Sequence, residues 1–502
     1  MKRWAPGDAL AGPETSFYLP VGDDVVSVVH HATARPRATV VLAGPMTLER
    51  THGYLTWVRW ARVLAANGYD VLRFDYRGVG ESTGDFRQQT FETWLEDLRA
   101  VVAHARARGH GRVLVLGLRL GALLGKRVFD GRECDAFVAW EPPAGGKPML
   151  MDMLRRKLAA DYMEFPGERK TRDDYVAELE RGAAVEVEGY PWTKALFLSA
   201  AGFGSATPER LGGEYLLVFL DGRPAERLPD RDFSASVRTP RPAFWLQSQN
   251  LVADLDALFT LTLERLDIWS DGWLATDATA EAPAVEVVDR CAGRALRVQE
   301  LGGGRCVGTH HPAAGPVGLL FVNFGYVPRD GHGGLAAHVC EAMAKQGVPC
   351  FRYDLPGLGD APGPLPAKTL EFFPVVTGGS FTPVTAELVR ALCAQEGLEG
   401  LVVAGLCGGA INALFTADVE PRLVRGLILF EPEMYVTEPR AQDGEAPRRP
   451  SLRAALRARL PAAPLFDVVT RALPFEERLR GKLFSYWGWM RLLTHENRYA
   501  RY

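Results

Sequence analysis

Two segments, VLVLGLRLGALL at 113–124 and LVVAGLCGGAIN at 401–412, each run an apolar strand into a helix through a turn of the form G-x-X-x-G. The outer glycines of such a turn permit a sharp strand-to-helix reversal and close packing of the helix on the strand. The central side chain is then presented above the sheet, beside backbone N–H groups that can bind an oxyanion. The flanking glycines are present in both copies, Gly117 with Gly121 and Gly405 with Gly409, whereas the centres differ: Arg119 and Cys407. A guanidinium cannot attack a carbonyl. A thiol can, once its surroundings favour the thiolate.

The two elbows are parts of a longer internal repeat. ANGYDVLRFDYRGVGESTG at 66–84 aligns with KQGVPCFRYDLPGLGDAPG at 345–363, with Arg73 over Arg352, Asp75 over Asp354 and Gly80 over Gly359, and AFVAWEPP at 136–143 aligns with GLILFEPE at 426–433. A chain of 502 residues exceeds what one core ordinarily serves. The apolar runs alternate with amphipathic stretches at βαβ spacing, and continuous runs such as ATVVLAG and RVLVLG point to strands buried on both faces of a largely parallel sheet. Expected strands in the first unit are 25–31, 37–43, 70–75, 112–117 and 135–140, with helices near 54–66, 90–107 and 120–128. A helical insert near 147–163 follows, then EYLLVFLDG at 214–222 and RPAFWLQSQN at 241–250 as strands seven and eight. The second unit repeats the pattern with RALRVQEL, GRCVGTHH, VGLLFVNFG, VPCFRYD, GLVVAG and RGLILFEP. The domains are therefore 13–269 and 285–502, joined by the aperiodic linker 270–284.

Composition narrows the functional classes. A net charge of −3 gives no footprint for nucleic acid or an anionic membrane. No stretch has the length and apolarity of a transmembrane helix, and seven scattered cysteines without a C-x-x-C pair fit reduced thiols, so the expectation is a cytoplasmic protein. His310, His311 and His332 lack metal-ligand spacing, and no cofactor or metal is expected.

An acid–histidine pair would be needed beside either elbow for triad chemistry. In the first unit Asp221 follows the seventh strand, as such an acid should, but reads equally as a turn residue before Gly222; Gln247, Ser248 and Gln249 stand where the histidine belongs. In the second unit His495 is the one histidine after Cys407, and nothing after LILFEP reads as strands seven and eight. That strand would then be a sheet edge, open to a protein partner or to self-association. Cys407 remains the candidate nucleophile, at a helix N-terminus that favours the thiolate, with the amide of Gly408 and one near Gly325 and Tyr326 as the oxyanion hole. The alternative is a small residue chosen for a tight turn. Arg119 is a candidate for binding an anionic ligand; its bland reading is a salt bridge with an acid such as Glu141. Asp75 and Asp354 are read as turn-holding residues, and the arginines from Arg448 to Arg459 as a solvated helix face or a carboxylate or lipid contact.

The first unit, with LAGPMTLERTHG, FDYRGVGESTGDFRQQTFETWLEDL, GLRLGALL and AWEPPAGGK, resembles the type 2 hydrolase associated with the exosortase A system, a branch of the α/β-hydrolase superfamily, over most of residues 13–265. The second, with FRYDLPGLGD, GLCGGAINAL and KLFSYWGWMRLLT, is similar to the companion type 1 hydrolase, whose elbow reads G-L-C. Members of that family continue past this last segment into strands carrying an acid and a histidine. The resemblance implies an α/β chain of two tandem α/β-hydrolase-like domains, each a mostly parallel sheet flanked by helices, with helical cap inserts. It further implies hydrolysis or transfer of an acyl ester or thioester by Cys407. The competing class is a non-catalytic scaffold in which Arg119 holds an anion.

Overall fold

The computed structural model describes residues 8–432, apart from residues 9, 110, 165–169, 210–212, 221–233, 238–242, 247–254, 273–289, 292 and 324. In the first unit the strands are β1 (Glu14–Val21), β2 (Asp24–His31), β3 (Thr39–Ala43), β4 (Asp70–Phe74), β5 (Val113–Leu118), β6 (Ala136–Trp140), β7 (Val185–Val187), β8 (Tyr190–Trp192), β9 (Glu214–Leu220) and β10 (Ser234–Val237). The helices are α1 (Thr47–Ala66), α2 (Phe91–Ala107), α3 (Leu120–Asp130), α4 (Gly146–Glu164), α5 (Arg172–Glu180), α6 (Lys194–Ser199) and α7 (Asp256–Gly272). The second unit holds β11 (Arg290–Cys291), β12 (Arg294–Leu301), β13 (Gly304–His311), β14 (Val317–Val322), β15 (Cys350–Asp354), β16 (Gly400–Leu406) and β17 (Val424–Phe430), with α8 (Leu335–Ala344), α9 (Thr369–Thr377), α10 (Thr382–Glu396) and α11 (Gly408–Val419).

The apolar strands sit where their sequence requires. Every residue of β3, β5 and β6 is buried, as expected of strands covered on both faces. The first sheet runs β1-β2-β4-β3-β5-β6-β9-β10 and the second β11-β12-β13-β15-β14-β16-β17, so the order from β1 to β6 recurs from β12 to β17. In both, the early hairpin is antiparallel and pairs antiparallel with the central strand, after which the sheet is parallel. Helices α1, α2 and α3 correspond to α8, α10 and α11. Apolar clusters fill both faces of each sheet; beneath the first, Trp60 stacks on Phe259 at 4.5 Å and Trp140 Nε1 donates to Thr262 at 3.1 Å, fastening α7 to the strands.

Three sequence expectations are corrected. Within RPAFWLQSQN the described residues, Ala243 to Leu246, form not a strand but a turn closed by Leu246 N–H to Ala243 O at 2.9 Å, and among the described residues the strand beyond β9 is β10. Phe244 and Trp245 are buried, but by a helix; Gly53 of α1 faces both. A short apolar run thus marks burial without fixing conformation. Helix α1 begins at Thr47, upstream of the expected start, because its N-cap position is Met46, which has no side-chain cap to signal the boundary. Helix α7 runs to Gly272 and so takes up the first residues of the expected linker, the rest of which lies outside the described residues. Among the described residues β17 is the last strand of its sheet, half-buried and paired with β16.

The units meet across a buried face of charge. Arg73 of β4 ion-pairs with Asp360 of the second unit; at the matching position Arg352 of β15 makes a bidentate pair with Glu81 of the first, at 2.6 and 3.0 Å. Within each unit an arginine braces the turn aspartate: Arg50 with Asp75 at 2.7 Å on both oxygens, and Arg329 with Asp354 at 2.6 Å. Residues 50 and 329, 73 and 352, 75 and 354, and 81 and 360 are each 279 positions apart. The contact is thus a near two-fold arrangement within one polypeptide, each unit offering the same patch to the other. Tyr54 Oη and Arg62 also reach Asp360, and Leu55 packs against the second unit's core. Asp75 and Asp354 do hold their turns, accepting from Glu81 N–H at 3.0 Å and Asp360 N–H at 3.1 Å. Gly80 and Gly359 are required there, since a Cβ on either would lie 2.1 Å from the aspartate side chain.

Candidate functional site

The elbows have nearly the same backbone. Arg119 lies at φ 57°, ψ −109° and Cys407 at φ 52°, ψ −116°, a strained left-handed conformation for a residue with a Cβ. Strand pairing anchors both turns, through Arg119 N–H to Trp140 O at 3.2 Å and Cys407 N–H to Phe430 O at 2.9 Å. The glycine spacing has a steric cause. A Cβ on Gly117 or Gly405 would sit 2.2 Å from the backbone of Gly121 or Gly409, and one on Gly121 or Gly409 would press on the carbonyl of Ala43 or Asn323, at 1.9 and 2.3 Å.

Around Arg119 the space is filled. Its guanidinium pairs with both oxygens of Glu49 at 3.2 Å, and that carboxylate, 1% exposed, also accepts from Arg156 at 2.9 Å. Arg156 continues to Glu188 at 3.0 Å, and Glu188 accepts from Thr47 Oγ1 at 2.9 Å. Burial beside a second carboxylate pushes the Glu188 carboxyl up, while Arg156 restrains it. The partner of Arg119 is therefore Glu49, not Glu141; the Glu141 carboxylate instead accepts from Leu220 N–H at 2.7 Å. Glu49 belongs to α1, Arg156 to α4 and Glu188 to the β7–β8 turn, so the cap insert and α1 together neutralise the elbow with a chain of alternating charges.

The surroundings of Cys407 differ. The residue is half-buried at the first turn of α11 and packs, as Val339, Ile428 and Phe430 do, against the buried cluster that includes Phe321, Val327 and Leu335. Gly408 faces the loop after β14: a Cβ there would stand 3.5 Å from Gly325 Cα and 3.1 Å from Val376 of α9. The structure thus brings together Cys407, Gly408 and the loop holding Gly325 and Tyr326, the last also half-buried. Gly325 has φ 63°. Asp221, Gln247, Ser248, Gln249, His495 and the arginines 448–459 lie outside the described residues.

The other histidines singled out are structural neighbours of the charged face. His310 Nε2 meets Tyr353 Oη at 2.5 Å and its Nδ1 lies 3.2 Å from Glu396, while His311 Nε2 accepts from Arg352 Nε at 3.2 Å. Burial holds His310 down to about 3, and burial with Arg352 and Arg294 holds His311 down to about 2. Among the described residues no group of three or more His, Cys, Asp or Glu side chains could hold a metal, and no helix is long and apolar enough to cross a membrane. Sequence reasoning missed Glu49, Arg156 and Glu188, which come from distant segments. It also missed the paired ion network, whose signal was visible: Arg73 and Arg352 each stand inside a fully buried strand, and a buried guanidinium requires a partner.

Residues 34–160 match the sequence profile of the family described as serine aminopeptidase, S33. Among solved structures, an α/β serine hydrolase homologue from Coxiella burnetii is 23% identical with a TM-score of 0.23, covering 26% of this chain and 64% of its own. A lid-less α/β serine hydrolase from Xanthomonas campestris is 18% identical with a TM-score of 0.30, covering 51% and 94%. The α/β hydrolase domain-containing protein 10 from mouse is 14% identical with a TM-score of 0.34, covering 51% and 98%. No curated protein matches the sequence.

Proposed function

From an α/β-hydrolase fold in which one elbow is neutralised by its own ion chain and the other carries a thiol, we propose that the protein acts on an acyl ester or thioester through Cys407, with the first unit catalytically silent. The observation that carries this reading is the half-buried Cys407 at the strained first turn of α11, with Gly408 packed against the Gly325–Tyr326 loop. The helix N-terminus favours the thiolate. Its sulfur attacks the acyl carbon, the carbonyl electrons move to an oxyanion held by the Gly408 amide and an amide of the Gly325–Tyr326 loop, and the oxyanion collapses to expel an alkoxide or thiolate, which takes a proton from water. The acyl group then leaves sulfur for water or an acceptor.

The exosortase-associated type 2 and type 1 likenesses, the domain limits 13–269 and 285–502, and a cytoplasmic setting belong to the same proposal. β17, the last strand of its sheet among the described residues, is the surface offered to a protein partner or a second copy. Against the scaffold alternative stands Glu49: a guanidinium already in a bidentate pair has little charge left for an anionic ligand. The test is intact-mass analysis after exposure to p-nitrophenyl acetate. One acetyl group per chain on the Cys407 peptide, absent from Cys407→Ala, is expected; an unlabelled Cys407 sinks the reading.

A further inference from the structure

The loop expected to hold the oxyanion is clamped at both ends by Asp354, and the clamp is braced from the other unit. At its start, Asn323 donates through Nδ2 to Val327 O at 3.0 Å and to Asp354 Oδ1 at 2.8 Å, and accepts from Leu355 N–H at 2.8 Å. Its main chain touches the elbow, since Asn323 O is the atom nearest to a Cβ placed on Gly409. At its end, Arg329 N–H donates to the same Asp354 oxygen at 2.8 Å. Two hydrogen bonds to one carboxylate thus set the span of the loop that carries Gly325 and Tyr326.

What sets Asp354 and Arg329 lies partly across the interface. The Arg329 guanidinium, 2% exposed, pairs with Asp354 and with Asp360 at 2.8 Å, and its Nε lies 3.5 Å from Glu81 Oε1. Thr309 Oγ1 links the same two groups, accepting from Arg329 Nε at 3.2 Å and donating to Glu81 Oε2 at 2.8 Å. Glu81 is itself fixed by the bidentate Arg352 pair. We propose that Glu81, a residue of the first unit, is a positioning residue for the oxyanion loop of the second, so that the silent unit sustains acyl transfer at Cys407. This rests on the reading of Cys407 as acyl nucleophile. Glu81 touches no substrate; it acts through Arg329 and the span from Asn323 to Arg329. Burial opposes its ionisation, but Arg352 and Arg329 override that and hold its carboxyl well below the usual carboxylate range, so the clamp is charged at neutral pH.

Two reactions of the same sulfur separate positioning from general damage. Acetylation by p-nitrophenyl acetate forms an S–C bond and expels p-nitrophenolate through a tetrahedral oxyanion. Alkylation by iodoacetamide forms an S–C bond and expels iodide without one. In the full-length chain, Glu81→Gln should slow acetylation of Cys407 about tenfold or more, and Thr309→Val, which removes one hydroxyl and no charge, several-fold. Alkylation should stay within about twofold in both, and Glu81→Asp should recover part of the acetylation rate. Unchanged acetylation, or equal loss of both reactions, overturns the proposal; if Glu81→Gln does not fold, Thr309→Val decides alone. If the unaltered protein is never acetylated at Cys407, the function proposed above fails. The clamp is then judged by hydrogen exchange: faster exchange confined to residues 323–330 in Thr309→Val supports it, and unchanged or unit-wide exchange overturns it.

Discussion

At Arg119 and Cys407 the chain makes one turn twice and surrounds it in two ways. The glycines, the strained φ and the anchoring hydrogen bond agree between the copies, yet Arg119 is met by Glu49, Arg156 and Glu188 whereas Cys407 is followed by Gly408, which packs near the Gly325 loop and Val376. The comparison separates two levels of specification. Local glycine spacing sets the backbone of an elbow; segments far away in sequence decide whether the space above it is occupied. A nucleophile position is therefore not yet a site.

The largest effect that tests this contrast is all or none. Arg119→Cys should leave acetyl incorporation at one group per chain, because Arg156, Glu49 and Glu188 still fill the first elbow; a second acetyl group would show that the arginine alone silences it. Next in size, Glu49→Ala should destabilise the first unit by about 3–5 kcal/mol in urea unfolding, since it leaves the largely buried Arg119 guanidinium without the carboxylate it pairs with and takes one of two from Arg156. A change below about 1 kcal/mol would mean that water reaches Arg119. Gly117→Ala and Gly405→Ala should each cost about 1–3 kcal/mol or more by overpacking, and by similar amounts. Unequal costs would break the equivalence of the two turns.

The remaining effect concerns pH. His310 and His311 are held neutral well below the ordinary histidine value of about 6.5, so the unfolded chain takes up protons that the folded chain does not. Stability is full above about 6.5 and falls with acidification toward about 3 for His310 and about 2 for His311, by up to about 1.4 kcal/mol per pH unit for each histidine. His310→Gln should flatten that slope relative to the unaltered protein in denaturant titrations at several pH values. An unchanged slope would place the titrating groups elsewhere.

Much of this architecture could be read from the chain because it is written twice. The repeat, the strands from β2 to β6 and from β12 to β17, and both elbows follow from apolar runs and glycine spacing, which are local. β1 escaped notice because Pro20 and mixed polarity blur its alternation, although an edge strand tolerates proline. RPAFWLQSQN misled because burial of Phe244 and Trp245 is shared by strands and packed turns. Asp75 and Asp354 were legible as turn residues but not as parts of an interface, because nothing within one unit says that Glu81 faces Arg352. Contacts 271 residues apart have no local signature.

The near two-fold face between the units also bears on how such a chain can vary. Its halves are matched in charge, since Arg73 is answered by Asp360 and Arg352 by Glu81. A hybrid gene joining the first half of one homologue to the second half of another would assemble only where positions 73 and 360, and likewise 81 and 352, remain opposite in sign. Drift at one end of the polypeptide is thereby answerable to residues at the other.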